Sequence, residues 1–327
     1  MSYNPDRPYL TPQQRAKYLV ERGYIEDGEL SDDAHTFLKR TNFHYFLGYA
    51  RNFRKLRREG LIEGDSRIDR VIQMVKLDHE VSTRLFTALR TLEWRLRAAL
   101  VDHHCELYTP KGCFLKPEHF TVMRPDARRV DVILREQIAR SREPFVLGMF
   151  EAHEEANGRP WRDSAEKMAE ADQRAVMERL PIWAVVDGWT LGQLERIITE
   201  AAPVKKDGED QWLWKQVAST FSVANSVFRT QLTAVIVLRN LVAHHSRLWM
   251  RPTAASPKKP KVYEKLTREA DHKSMYVAWL TLASFLRADG GDKELIADLD
   301  ELISRDSLYA LGVKSPLASA ALSSTTD

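Results

Sequence analysis

Between Ala234 and Pro252 the chain reads AVIVLRNLVAHHSRLWMRP. A mostly apolar run gives way to Arg239, Asn240, His244, His245, Arg247 and Arg251, and few acids stand nearby to neutralise the arginines. These residue types suit chemistry at a phosphate. An imidazole titrates near neutral pH and can take or give a proton. Guanidinium groups donate paired hydrogen bonds to phosphoryl oxygens.

On a helix turning about 100° per residue, Leu238, Leu241, Val242, His245, Leu248 and Trp249 form one apolar stripe. Asn240, His244, Arg247 and Arg251 fall on another face, at spacings of four, three and four. His245 is therefore expected in the core, and His244 beside Asn240 on a working face. Arg239 lies about 140° around from His244, a gap that a long side chain partly bridges. Spacing alone does not single out this stretch, because Arg97 stands in the same relation to His103 and His104. That second pair reads as structural, with Glu93 and Arg97 pairing across one turn.

The elements that must hold these residues are helical. Thr11 with Pro12 opens a helix that Gly23 stops, and Ser31 or Asp32 caps the next. In TNFHYFLGYARNFRKLRREG, aromatic residues pack a helix corner around Gly48. Apolar residues at Val71, Met74, Val75, Leu85, Ala88, Leu89, Leu92, Leu96 and Leu100 predict one long helix, or two joined near Asp78. Pro203 to Asp210 reads as a charged loop, and Asn225 to Trp249 as a helix. Period-two alternation is almost absent, and no glycine-rich phosphate loop appears, so the fold class is all-α. Residues 1–60 read as an N-terminal helical region with a frayed start, 61–312 as the main helical domain, and 313–327 as a disordered tail.

At 327 residues and a net charge of +3, the chain is no uniform polycation. Nucleic-acid contact must come from local patches. Arg51, Arg54, Lys55, Arg57 and Arg58 form one; Lys258, Lys259 and Lys261 form another. Aromatic residues beside the first could stack bases, although a packing role is the simpler account. Two cysteines, Cys105 and Cys113, with no secretory signal or long apolar span, point to a reducing cytoplasm and no membrane association. His103, His104, Cys105 and Cys113 match no finger or ribbon spacing, so no metal site and no cofactor are expected.

RNLVAHHSRLW resembles the carboxy-terminal signature of the bacterial abortive-infection Abi family (AbiD/AbiF-like), a branch of the HEPN superfamily. Three further pieces follow the family order. Asn42 to Tyr49 (NFHYFLGY) resemble its aromatic box, Asp78 to Arg97 its long helix, and LPIW at 180–183 with Gly192 its Leu-Pro-x-Trp segment. Met250 departs from the pattern, standing where the family usually carries Asn before the final Arg251. The resemblance implies a HEPN-like helical bundle, usually a homodimer, acting as a metal-independent endoribonuclease in phage defence. Carried over, Arg239 and His244 are the catalytic pair and Asn240 supports them. A ribose 2′-OH attacks the adjacent phosphate, and the expected product is a 2′,3′-cyclic phosphate. Arg247, Arg251 and the Arg51–Arg58 patch are expected to bind RNA. The resemblance also implies a toxin silenced by a small RNA antitoxin. The competing reading is a catalytically inactive helical RNA-binding or protein-interaction module.

Overall fold

The computed structural model describes residues 9–26, 29–62, 67–121 and 126–316. The all-α expectation holds: 68% of the described residues are helical, and they include one small two-stranded sheet. No single helix among them is long and apolar enough to cross a membrane. The expected frayed start, Met1 to Pro8, lies outside the described residues. So does the expected tail from residue 317 onward, whereas Val313 and Lys314 close a last helix, Ser307–Lys314.

Local chemistry sets the element boundaries. Thr11 caps Pro12–Glu21 in a reciprocal box with Gln14, and Gly23 leaves in the left-handed region at φ 64°. Ser31 caps Asp32–Arg40. The Asn42 side chain accepts the amides of His44 and Tyr45 to open Phe43–Arg58. That helix runs unbroken through Gly48, so the expected corner is not there. Ile68–Leu107 is one helix of 40 residues, about 60 Å at 1.5 Å per residue. Its buried stripe carries straight past Asp78.

Two other expectations are corrected. Residues 203–210 are a hairpin, not a loop: Val204–Lys206 pairs antiparallel with Glu209–Gln211. Asp207 and Gly208 turn it with φ of 55° and 83°, the double positive φ that Asp-Gly supplies in a two-residue turn. The histidine-bearing helix, Asn225–Ala243, ends before His244, so residues 244–251 lie outside it.

The chain forms two compact units that interleave distant segments. One unit gathers the described residues up to Ala88, with Val237–Ala283 and those from Gly291 onward. Phe46, Tyr49, Phe53, Trp249, Trp279 and Tyr309 are its large buried side chains. The other holds Leu89–Ile236 and Ser284–Gly290, around Phe114, Phe150, Trp189, Phe221, Phe228 and Phe285.

In the first unit Trp249 leaves no room at Gly312. A Cβ there would lie 2.3 Å from the indole Nε1. That nitrogen donates to the Leu308 carbonyl at 3.1 Å. Gly312→Ala is predicted to cost about 1–3 kcal/mol through overpacking, seen as a lowered melting temperature. An unshifted melt would show that Trp249 has freedom this packing denies it.

Candidate functional site

Arg239 and Asn240 lie in the last turn of the Asn225–Ala243 helix, and His244 follows directly after it. The His244 amide still bonds to the Asn240 carbonyl at 3.0 Å, which stacks these two residues one turn apart. Both are exposed, and Arg239 is half-buried. The end itself is a Schellman turn. The His245 amide donates to the Val242 carbonyl at 3.1 Å and the Ser246 amide to the Leu241 carbonyl at 2.8 Å. His245 takes the position usually given to glycine, at φ 50°. Histidine is among the residues that tolerate that conformation best.

This geometry overturns the two-face argument. His245 is exposed, not packed in the core. Arg247 no longer shares a helical face with His244, because the chain has left the helix before reaching it. The distinction between the histidines rests instead on backbone. His244 is the cap residue stacked over Asn240, and His245 is the turn residue.

Beyond the turn, one carboxylate organises the chain. Asp78 is 2% exposed. Its Oδ2 accepts from the Tyr49 hydroxyl and from the Leu248 amide at 2.9 Å. Its Oδ1 accepts from the Tyr309 hydroxyl at 2.6 Å and from the Trp249 amide at 3.1 Å. Burial pushes the carboxyl above its ordinary range, and the four donors oppose that push. Tyr45 extends the network to Tyr49 at 2.9 Å between hydroxyl oxygens. Trp249 stacks on Tyr49 at 6.1 Å with the rings 8° from parallel. Sequence reasoning treated Asp78 only as a joint between helices. The signal was present: an acid stands where the stripe Val71, Val75, Val81, Leu85 calls for an apolar side chain.

Arg247 turns inward. Its Nη1 donates to the Gly48 carbonyl, and its guanidinium lies 5.8 Å from the Tyr49 ring centre. Burial pulls its pKa down, while nearby Tyr49 and Asp78 pull it up. A Cβ at Gly48 would meet the Arg247 Nη1 at 3.4 Å, an ordinary van der Waals contact. Met250 sits in the left-handed region at φ 50°.

The basic patch is largely committed to the fold. Arg54 donates to the Arg22 carbonyl at 3.3 Å and lies 4.1 Å from the Tyr24 ring centre. Arg57 donates to the Gly23 carbonyl at 2.6 Å and pairs with Glu26 at 3.0 Å. Lys55 stands 4.0 Å from Glu59. Arg51 and Arg58 are the exposed members. Arg251 is half-buried beside the turn. Arg97 pairs with Glu93 at 2.9 Å, as its spacing predicts, and donates to the Trp189 carbonyl at 2.8 Å. His103 bonds to Thr220 at 2.8 Å and Glu106 at 3.1 Å.

A profile of the Abi-like protein family matches residues 36–250, about two thirds of the chain, and the chain belongs to that family. No curated protein and no solved structure matches it.

Asp78→Asn tests the keystone. An amide nitrogen would replace one acceptor oxygen. A tyrosine hydroxyl can rotate to accept from it, but a backbone amide cannot. One of Leu248 and Trp249 then loses its partner, for a predicted loss of about 1–3 kcal/mol in denaturant unfolding. A change within roughly 0.5 kcal/mol, as at an ordinary surface site, would remove Asp78 from this role.

Proposed function

We propose that the protein is a HEPN-type endoribonuclease of abortive-infection phage defence, with Arg239, Asn240 and His244 as its working residues. The observation that carries this reading is an exposed histidine and asparagine, stacked one turn apart beside Arg239, on a helix end fixed by a Schellman turn. Family membership supports the biological setting.

The chemistry follows from the side chains. His244 takes the proton from a ribose 2′-OH, or gives one to the leaving 5′ oxygen. Arg239 stabilises the charge that develops on the phosphoryl oxygens. Asn240 is placed to orient the imidazole or a phosphate oxygen. One imidazole cannot be base and acid in the same step, so a second copy of the chain supplies the other, and the active species is a homodimer. Arg51, Arg58 and Arg251 are the remaining candidates for contacts along the RNA backbone. Arg247, Arg54, Lys55 and Arg57 support these elements from within. A small RNA antitoxin fits the same basic surface, and its affinity would fall steeply with salt.

The test compares a single-stranded RNA with the same strand carrying a 2′-deoxyribose at the cut site, in magnesium-free buffer. The enzyme should cut the first and spare the second. His244→Ala should lower the rate by roughly 10²–10⁴-fold. His245→Gly keeps the left-handed turn and should retain activity. Cleavage of the deoxy-substituted strand, or full activity in His244→Ala, would sink the site assignment. RNA bound but left uncut would favour the inactive binding module instead.

A further inference from the structure

A second group of chemistry-bearing residues lies in the other unit. His104 sits near the end of the Ile68–Leu107 helix, Cys113 in the turn after it, and His119 in the next 3-10 turn, Pro117–His119. One ring nitrogen from each histidine and the Cys113 Sγ all lie within 4.8 Å of one another. His104 Nε2 is 3.6 Å from that sulfur. Ligands bound to one tetrahedral zinc at about 2.0 Å (nitrogen) and 2.3 Å (sulfur) stand about 3.5 Å apart. The first pair is thus already at coordination spacing.

The burial is the second observation. His104 is 0% and His119 7% exposed. His119 Nε2 has no hydrogen-bond partner among the described residues. Buried ring nitrogens nearly always find one, so packing alone leaves this nitrogen unexplained.

The three positions are set by backbone bonds. Gly112, at φ 57°, donates to the Leu180 carbonyl at 3.2 Å, and a Cβ on it would lie 2.4 Å from the Glu178 carbonyl oxygen. Only glycine lets that turn close and present Cys113. The His119 carbonyl accepts the Ala202 amide at 2.8 Å, and the Thr121 amide donates to Glu200 at 2.8 Å. Cys113 is half-exposed, which gives an ion an entry path and leaves a fourth position for water.

We propose that His104, Cys113 and His119 form a zinc site. Two imidazoles and a thiolate select zinc over magnesium or calcium, which prefer oxygen ligands. On binding, the Cys113 S–H bond breaks, its proton goes to solvent, and the sulfur pair forms the Zn–S bond. The alternative for Cys113 is a plain thiol hydrogen bond, to His104 or to the Thr109 carbonyl at 3.3 Å. The proposal is independent of the ribonuclease reading, since none of its ligands belongs to the His244 group.

The experiment uses the full chain, purified without metal-affinity resin. Zinc content is measured by plasma mass spectrometry, and the chelator-treated protein is titrated with Co²⁺. About one equivalent of zinc per chain is expected, with a thiolate-to-cobalt charge-transfer band and the strong visible bands of a four-coordinate ion. Cys113→Ser should abolish the charge-transfer band and weaken zinc at least roughly a hundredfold, with its helical circular dichroism intact. His103→Gln should keep the metal. If the wild-type chain takes up no Co²⁺, or takes it up without a thiolate band, and zinc leaves its melting temperature unchanged, the site is a hydrogen-bonded cluster and the proposal is wrong.

Discussion

A carboxylate buried in an apolar stripe is tolerated only when every lone pair is used. Asp78 meets that demand with two tyrosine hydroxyls and two backbone amides, drawn from three separate parts of the chain. The demand works in both directions. The acid needs the amides of Leu248 and Trp249, and those amides, outside any helix, need an acceptor. The Asp78 contacts therefore fix where the segment after His244 runs. The Trp249 ring completes the fastening between Tyr49 and Gly312.

The consequence reaches the helix end. With Leu248 and Trp249 pinned, the chain must leave the helix within a few residues of Ala243. The Schellman turn does this at the cost of a left-handed histidine. His244 is then the last residue still hydrogen-bonded in the helical pattern, exposed and stacked over Asn240. A side chain held this way, outside the core but on a fixed backbone, is what proton transfer requires of a general acid–base group. Arg247 shows the other use of charge here: it is turned inward onto the Gly48 carbonyl, next to the tyrosines that hold Asp78.

Helices with strong local punctuation were legible in the sequence. Thr11, Ser31, Gly23 and the uninterrupted apolar stripe from Val71 to Leu100 each marked an element that the structure contains. The misreadings share one cause. Leu248 and Trp249 continue the helical period, so periodicity carried the helix past the turn, but their burial comes from Asp78, Tyr49 and Phe53, which lie far away in sequence. Sequence could not show that Arg54 and Arg57 stand beside the Arg22 and Gly23 carbonyls. His119 stands six residues after Cys113, and the bridge between Phe120 and Ala201 with its neighbouring backbone bonds fixes its place. The Asp-Gly turn at 207–208 was readable, and its charged strands hid it.

In the proposed chemistry His244 and Arg239 direct a ribose 2′-OH onto its own phosphate. The most direct measurement is the chemistry of the cut ends, read by mass spectrometry of products from a defined oligoribonucleotide. A 2′,3′-cyclic phosphate on one fragment and a 5′-hydroxyl on the other are the predicted pair, because no water takes part in the first step. A 5′-phosphate and a 3′-hydroxyl would mean that water was the nucleophile and would contradict the mechanism.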